Sequence, residues 1–195
     1  GANLQDGIIN KTGMDKYNIS LYNSYKLFDN KVNVQTRILY SDIEDQSHLN
    51  TNSAGYVGNL IGTALYWRPT LDIRDSKGEF TNISDDYLNP QELLDAYDDS
   101  TVTKRILANV NVSFMINDKL TFKTTYGVDN STSSREAQLS PTIDIRDTAR
   151  ADGKRGQASI YNDDRTNKTF ENTLTYVDSF DGLDLNLLAG YSYYS

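Results

Sequence analysis

Six stretches of this chain alternate apolar and polar residues with period two, and they fall into three pairs, each joined by a tight turn. One side of the first pair reads Tyr17, Ile19, Leu21, Tyr25, Leu27, then Val32, Val34, Ile38, Tyr40. The second pair gives Ile106, Ala108, Val110, Val112, Phe114, Ile116 and Leu120, Phe122, Tyr126, Val128. The third gives Phe170, Leu174, Tyr176 and Leu183, Leu185, Leu187, Ala189, Tyr191, Tyr193. Successive side chains leave a pleated backbone on opposite sides, so the pattern predicts strands with one apolar face each. The runs approach the ~9–11 residues that a tilted strand needs to cross a bilayer. The expected fold class is therefore all-β: antiparallel hairpins forming part of a transmembrane β-barrel, with long extracellular loops.

The connections sharpen that expectation. Phe28-Asp29-Asn30-Lys31, Asn117-Asp118-Lys119 and Asp181-Gly182 sit between apolar residues. Asn, Asp and Gly tolerate the positive φ of tight hairpins. The strand pairs are expected at about 15–43, 103–133 and 166–195, with outer loops at about 44–102 and 134–165. Loops longer than ~12–15 residues are uncommon in compact domains and usually functional. Short turns on one rim and long loops on the other is the asymmetry of outer-membrane barrels. Tyr17, Tyr40, Tyr126 and Tyr191 stand well up their strands and read as an outer aromatic girdle, with Phe28, Phe114 and Phe180 near the inner one. Aromatics packed in a soluble sandwich would give the same positions. The opposite faces carry residues such as Asn18, Ser20, Asn33, Gln35, Asn109, Asn111 and Thr125, which suits a wet lumen or an exposed sheet face.

Bulk composition is silent about a membrane, for a physical reason. Hydrophobic residues are 37% and mean hydropathy is -0.60, but only every second residue of a barrel strand meets lipid. The 14 Tyr against 6 Phe and 1 Trp suit strands and interfacial belts. A net charge of -8 argues against a nucleic-acid partner, which needs clustered Lys and Arg. Without cysteine there is no disulfide, thiol nucleophile or thiolate metal site. No signal peptide precedes Gly1, so a mature, trimmed or internal piece of an exported protein is expected.

The loops carry the candidate contacts. Pro69-Thr70-Leu71-Asp72-Ile73-Arg74-Asp75 is repeated as Pro141-Thr142-Ile143-Asp144-Ile145-Arg146-Asp147. Each copy precedes a turn and a β-prone run (Glu79 to Ile83, Gln157 to Tyr161), which predicts a small hairpin projecting from each loop. Two such hairpins make either one docking surface or two stereotyped loop supports. Tyr66, Trp67 and Arg68 offer a ring face and a cation for a sugar, or a packing anchor. Possible ligand or partner contacts are thus Tyr66, Trp67, Arg68, Asp72, Arg74, Asp144 and Arg146. Asn89 and Pro90 predict the start of a short helix.

Motifs for chemistry are missing from the sequence. There is no phosphate loop, nucleophile elbow or zinc-protease motif, and His48 stands alone in polar loop sequence. Asp85, Asp86, Asp98 and Asp99 could gather Ca²⁺, but their spacing is not an EF-hand loop and a solvated acidic loop accounts for them. No acid pair can be nominated for glycosidase work. Neither catalytic nor cofactor-binding nor metal-ligating residues are assigned, and no enzyme activity or cofactor is expected.

Several short runs resemble one family. Leu4-Gln5-Asp6-Gly7-Ile8-Ile9-Asn10 with Tyr17-Asn18-Ile19-Ser20, Tyr66-Trp67-Arg68-Pro69-Thr70 and Asn89-Pro90 with Ala96-Tyr97-Asp98-Asp99 resemble the SusC/RagA family of TonB-dependent outer-membrane transporters. So do Ala137-Gln138-Leu139-Ser140-Pro141 and Leu188-Ala189-Gly190-Tyr191-Ser192-Tyr193-Tyr194. The resemblance implies a barrel of about 22 strands around an internal plug. It also implies a SusD-like surface lipoprotein as lid, the TonB complex as energy source, and import of a glycan or peptide substrate across the Gram-negative outer membrane. No plug, TonB-box segment or terminal barrel strand is read here, so the chain resembles a middle slice of the barrel, bounded by outer-membrane lipid. A secreted, soluble all-β binding or adhesion module, its apolar rows buried between two sheets, is the competing expectation. Under the barrel reading, arginine at Val110 or Leu185 should impair insertion, and at Asn111 far less.

Overall fold

The computed structural model describes residues 1–48, 59–81, 83, 88–143 and 156–195. In chain order these form β1 (Ala2–Asp6), β2 (Gly13–Leu27), β3 (Val32–Gln46), α1 (Leu60–Tyr66), α2 (Pro90–Ala96), β4 (Tyr97–Asn117), β5 (Leu120–Leu139), β6 (Gln157–Phe180) and β7 (Leu183–Tyr194). The strands make one antiparallel sheet in sequence order, β1 through β7. Among the described residues no helix is long and apolar enough to cross a membrane, which leaves a strand-built wall untouched.

Seven strands replace the six read from sequence. β1 is too short and mixed for its periodicity to register, yet it pairs with the start of β2 from Ala2↔Tyr17 to Asp6↔Gly13. The turn between them depends on Gly7, where a Cβ would fall 1.9 Å from the Thr12 Oγ1 and 2.9 Å from its carbonyl. The strands also run further than their apolar stretches. β3 ends at Gln46, β4 begins at Tyr97, β5 ends at Leu139 and β6 begins at Gln157. The run from Gln157 to Tyr161, expected as a hairpin strand in the second loop, is instead the start of β6, paired with β5 from Arg135 to Leu139. Only Ala158 and Ile160 alternate there before Asn162, Asp163, Asp164 and Arg165 interrupt the pattern, so a period-two search does not join the run to β6.

The turns use two kinds of chemistry. Phe28, Asp29 and Asn30 have φ of 52°, 52° and 68°, and Asp181 and Gly182 have 23° and 88°. The turn at Asn117 takes another route: its Oδ1 accepts from the backbone N–H of Lys119 and of Leu120, each at 2.9 Å. A side chain there replaces left-handed backbone.

Register brings the apolar rows onto one face. Leu27, Val32, Phe114, Phe122, Leu174 and Ala189 are successive cross-strand partners, and so are Leu21, Ile38, Ala108 and Val128. Nothing among the described residues covers that face: Ile19 is 69% exposed and Leu187 is 54% exposed. The apolar band also crosses the register obliquely. In β2 it centres on Tyr22; in β7, on Leu188. Register leads from Tyr22 through Arg37, Asn109, Gly127 and Thr169 to Tyr194, six residues beyond Leu188. At ~3.3 Å per residue that is a slip of ~20 Å across ~24 Å of sheet width, a slope of about 40°. Strands of membrane barrels tilt by about 35–45°. Leu185 faces Asp178 across the β6–β7 pair, close to the turn at Asp181, whereas Val110 sits near the centre of its band.

Candidate functional site

Beyond the apolar band, the far ends of β4, β5 and β6 carry a small cap built from the long connection between β3 and β4. Its core is Leu60, Leu88, Leu93, Ala96, Leu139 and Ile143, with Ile9, Leu94 and Tyr97 packed against it. Helix α1 starts at Asn59, whose side chain accepts from the Gly62 N–H at 2.9 Å. Trp67 closes it, its N–H donating to Thr63 O at 3.0 Å. Helix α2 starts as the Asn-Pro pair predicts, with Asn89 capping and Pro90 first in the helix.

Asn89 is the pin of the cap. It is fully buried; its Nδ2 donates to Ile73 O at 2.7 Å and to Thr81 O at 3.1 Å, while its Oδ1 accepts from the Gln91 N–H at 2.9 Å. Ile73 and Thr81 flank a small hairpin closed by an Arg74↔Phe80 bridge. One side chain thus ties that hairpin to the helix. Asn89→Ala removes the helix cap and both bonds that tie the small hairpin to it, so it should loosen the cap by about 2 kcal/mol. Hydrogen exchange at the Gln91 and Leu93 amides should rise while β4 amides stay protected.

The cap is fastened to the wall at several points. α2 runs directly into β4 at Tyr97, and Ser140 N–H donates to Ala96 O at 2.8 Å. Lys11, in the β1–β2 turn, donates to Leu94 O at 3.1 Å and lies 3.5 Å from Asp98. Asp99 takes both Nε (2.9 Å) and Nη2 of Arg135 and the Tyr97 hydroxyl at 2.8 Å. An open cleft of about 540 Å³ lies at this junction, bordered by Lys11, Tyr97, Asp98, Asp99, Glu136 and Ile160 among others. Hydrogen bonding from the Arg135 guanidinium holds the Asp99 carboxyl below its usual range, and burial pushes the Tyr97 phenol up. A depressed carboxyl stabilises the fold above its unfolded-state pKa, and the contribution disappears as pH falls through the folded-state value. Acidification below the ordinary carboxylate range should therefore first loosen the outer ends of β4 and β5, on which the cap is seated. Limited proteolysis across pH would show it, and Asp99→Asn should flatten that profile.

The sequence-derived contacts fall as follows. Tyr66 ends α1, Trp67, Arg68 and Asp72 lie between it and the small hairpin, and Arg74 belongs to that hairpin; Asp144 and Arg146 lie outside the described residues. The Trp67 indole N–H donates to Leu71 O at 3.3 Å, which fixes a half-buried ring. Arg74 stacks 3.8 Å above the Phe80 ring and donates to Gly78 O at 2.8 Å. Tyr66 is 55% exposed, and Arg68 and Asp72 are exposed too. The hairpin expected after the first repeat exists as the Ile73–Thr81 excursion. Asp98 and Asp99 do not join as a cation site: they point to opposite faces of β4 and each has a basic partner, while Asp85 and Asp86 lie outside the described residues. Among the described residues no three metal-ligating side chains gather. Lys11 and Arg135, and the pairing of Asp99 with Arg135, escaped sequence reasoning because no motif links residues that only register brings together.

No protein-family model matches the sequence. A TonB-dependent receptor P3 of Formosa agariphila is 33% identical over 138 residues, covering 70% of this chain and 13% of the relative. The chain therefore spans only a small part of that receptor's length. A solved structure of the RagAB peptide importer in the "closed-closed" state superposes with a TM-score of 0.72, 17% identity, and coverage of 98% of this chain and 21% of that one. Seven consecutive antiparallel strands share the fold of that part of the importer. The chain belongs to the TonB-dependent receptor family.

Proposed function

We propose that this chain is wall and outer loop of an outer-membrane nutrient importer that takes up a glycan or oligopeptide with a SusD-like lipoprotein as lid and the TonB complex as energy source. The observation that carries the reading is the uncovered apolar face, whose band runs at about 40° to the strand register. A sandwich would bury those rows against a second sheet, and none lies across Val110, Phe122 and Leu185 among the described residues. In this reading the turns at Phe28, Asn117 and Asp181 meet the periplasm, and the cap and loops stand outside the cell. Tyr17, Tyr40, Tyr126 and Tyr191, all on the apolar face, make the outer girdle. The region works without bond chemistry: the wall pairs its backbone groups between strands, as lipid demands, while the cap recognises. The full-length product should sediment with outer membranes and need detergent for extraction. Recovery in the aqueous phase without detergent would overturn the reading.

Tyr66, Trp67, Arg68, Asp72 and Arg74, with Asp144 and Arg146, are proposed to touch the ligand or the lid. Trp67→Ala should reduce uptake several-fold while leaving the level of assembled barrel unchanged, measured as substrate accumulation against heat-modifiable receptor on a gel.

A further inference from the structure

We infer that Lys104 and Lys168, on the bilayer side of the wall just above its apolar band, hold the phosphate of a lipid headgroup in the outer leaflet. This rests on the reading above that the apolar face meets lipid.

Placement, not exposure, singles them out. Every Lys and Arg of β1–β7 turns to the polar face except these two. On β4 the apolar row reaches Ile106, and the next residue outward on the same face is Lys104; on β6 it reaches Phe170, and the next is Lys168. Counted from Asn111 and Leu174 as band centres, at about 3.3 Å per residue and a tilt near 40°, they stand roughly 18 and 15 Å above the midplane. An apolar band about 25 Å tall ends just below them. By register alone they are offset: Lys104 pairs with Thr132, and Thr132 with Asp164, four residues before Lys168. The oblique band brings the two to nearly one height, two strands or about 10 Å apart across the sheet.

The ground between them is uncharged. Asn130 and Thr132 of β5 and Thr166 of β6 fill it, and Asn130 Nδ2 donates to Thr166 Oγ1 at 2.8 Å. A hydroxyl that accepts there keeps its own proton to donate outward. The neighbouring acids stand aside. Asp42 lies across from Lys104 on the side away from Lys168, and its Oδ2 accepts from the Tyr40 hydroxyl at 3.2 Å. Asp164 lies beyond Thr166, further from the bilayer. Further strands of a complete barrel join at the β1 and β7 edges, and anything inside it touches the other face, so neither covers this one. Lysine stems run along apolar surface and keep the ammonium at headgroup level. A ligand here lays its tails against Ile106, Val128 and Phe170 and sets its anion at the lysines, which describes a lipid and not a free ion.

The test uses the full-length receptor purified in neutral detergent. Diphosphoryl lipid A and its dephosphorylated form are added in mixed micelles, and retention is read by native mass spectrometry. The unmodified receptor should retain the phosphorylated form and release the other, and inorganic phosphate should not displace it. Lys104→Gln or Lys168→Gln should weaken retention about fivefold, and the two together about thirtyfold. Lys26→Gln and Lys123→Gln remove the same charge from the polar face and should change nothing, and Lys104→Arg should keep the lipid. Equal retention of both forms, displacement by inorganic phosphate, or no loss in the double variant would overturn the inference while leaving the barrel in place. Loss of a protein partner from the double variant with lipid retention unchanged would overturn it too, and assign the lysines to that partner. A receptor that stays in aqueous solution without detergent would remove the lipid-facing reading itself, and with it this site.

Discussion

Val110→Arg should block assembly of the barrel, costing about 2–4 kcal/mol for a cation on the lipid face near the bilayer midplane. Val110 lies between Thr36 and Tyr126 on the apolar face, near the middle of its band. No carboxylate stands opposite to compensate the charge. Asn111→Arg, one residue on, points to the wet face among Gln35 and Thr125 and should be tolerated. The heat-modifiable fraction of the full-length receptor in outer membranes reads both, and equal loss at the two sites would contradict the facing. Leu185→Arg belongs with the milder changes. Its cross-strand neighbour is Asp178, itself bonded by Lys119 at 2.7 Å and by the Tyr176 hydroxyl at 2.7 Å. A cation there finds a carboxylate and an end of the band, so the cost should fall toward the ~0–1 kcal/mol seen near the interface. The expectation that arginine at either Val110 or Leu185 impairs insertion thus divides by depth, because the band crosses the strands obliquely.

The second large effect concerns the cap. Leu93 is fully buried at the centre of the only apolar core among the described residues. Leu93→Ala should cost about 2–5 kcal/mol, the range for removing a buried leucine side chain and leaving a cavity. Among wall residues only Leu139, at the end of β5, belongs to that core, and the strands are held by their own ladders. Barrel assembly should therefore persist while the connection between β3 and β4 becomes open to protease. Loss of the whole barrel from the membrane would mean that the cap is part of the wall's folding unit.

The wall was legible in sequence because a lipid face on one side and water on the other forces strict alternation. Tyr17, Ile19, Leu21, Tyr25 and Leu27, and Ile106, Ala108, Val110, Val112 and Phe114, fell on the side that periodicity assigned, with Tyr22 and Leu107 on the other. Legibility ended where the environments became alike. Gln157 to Tyr161 read as β-prone, but the polar run Asn162 to Arg165 separated it from the apolar rows of β6. Helix α1 was missed because Leu60–Tyr66 is one short apolar run, without an acidic first turn or a proline to mark its start. The Asn89 cap could be read, since capping is local chemistry. Its bonds to Ile73 and Thr81 could not, since they join residues that only folding brings near. The Asp99–Arg135 clasp was hidden for the same reason, its members standing 36 residues apart.

The direct junction of α2 with β4 has one more effect. Ala96 is the last helical residue and Tyr97 the first of the strand, with no slack between them. A single inserted residue at that seam would have to be absorbed by rotating the helix or by flipping the strand, and a flip sends Asp99 outward and Asp98 toward the lumen. Length polymorphism among natural variants of this receptor should thus avoid the Ala96–Tyr97 boundary, and engineers grafting a foreign epitope would do better elsewhere.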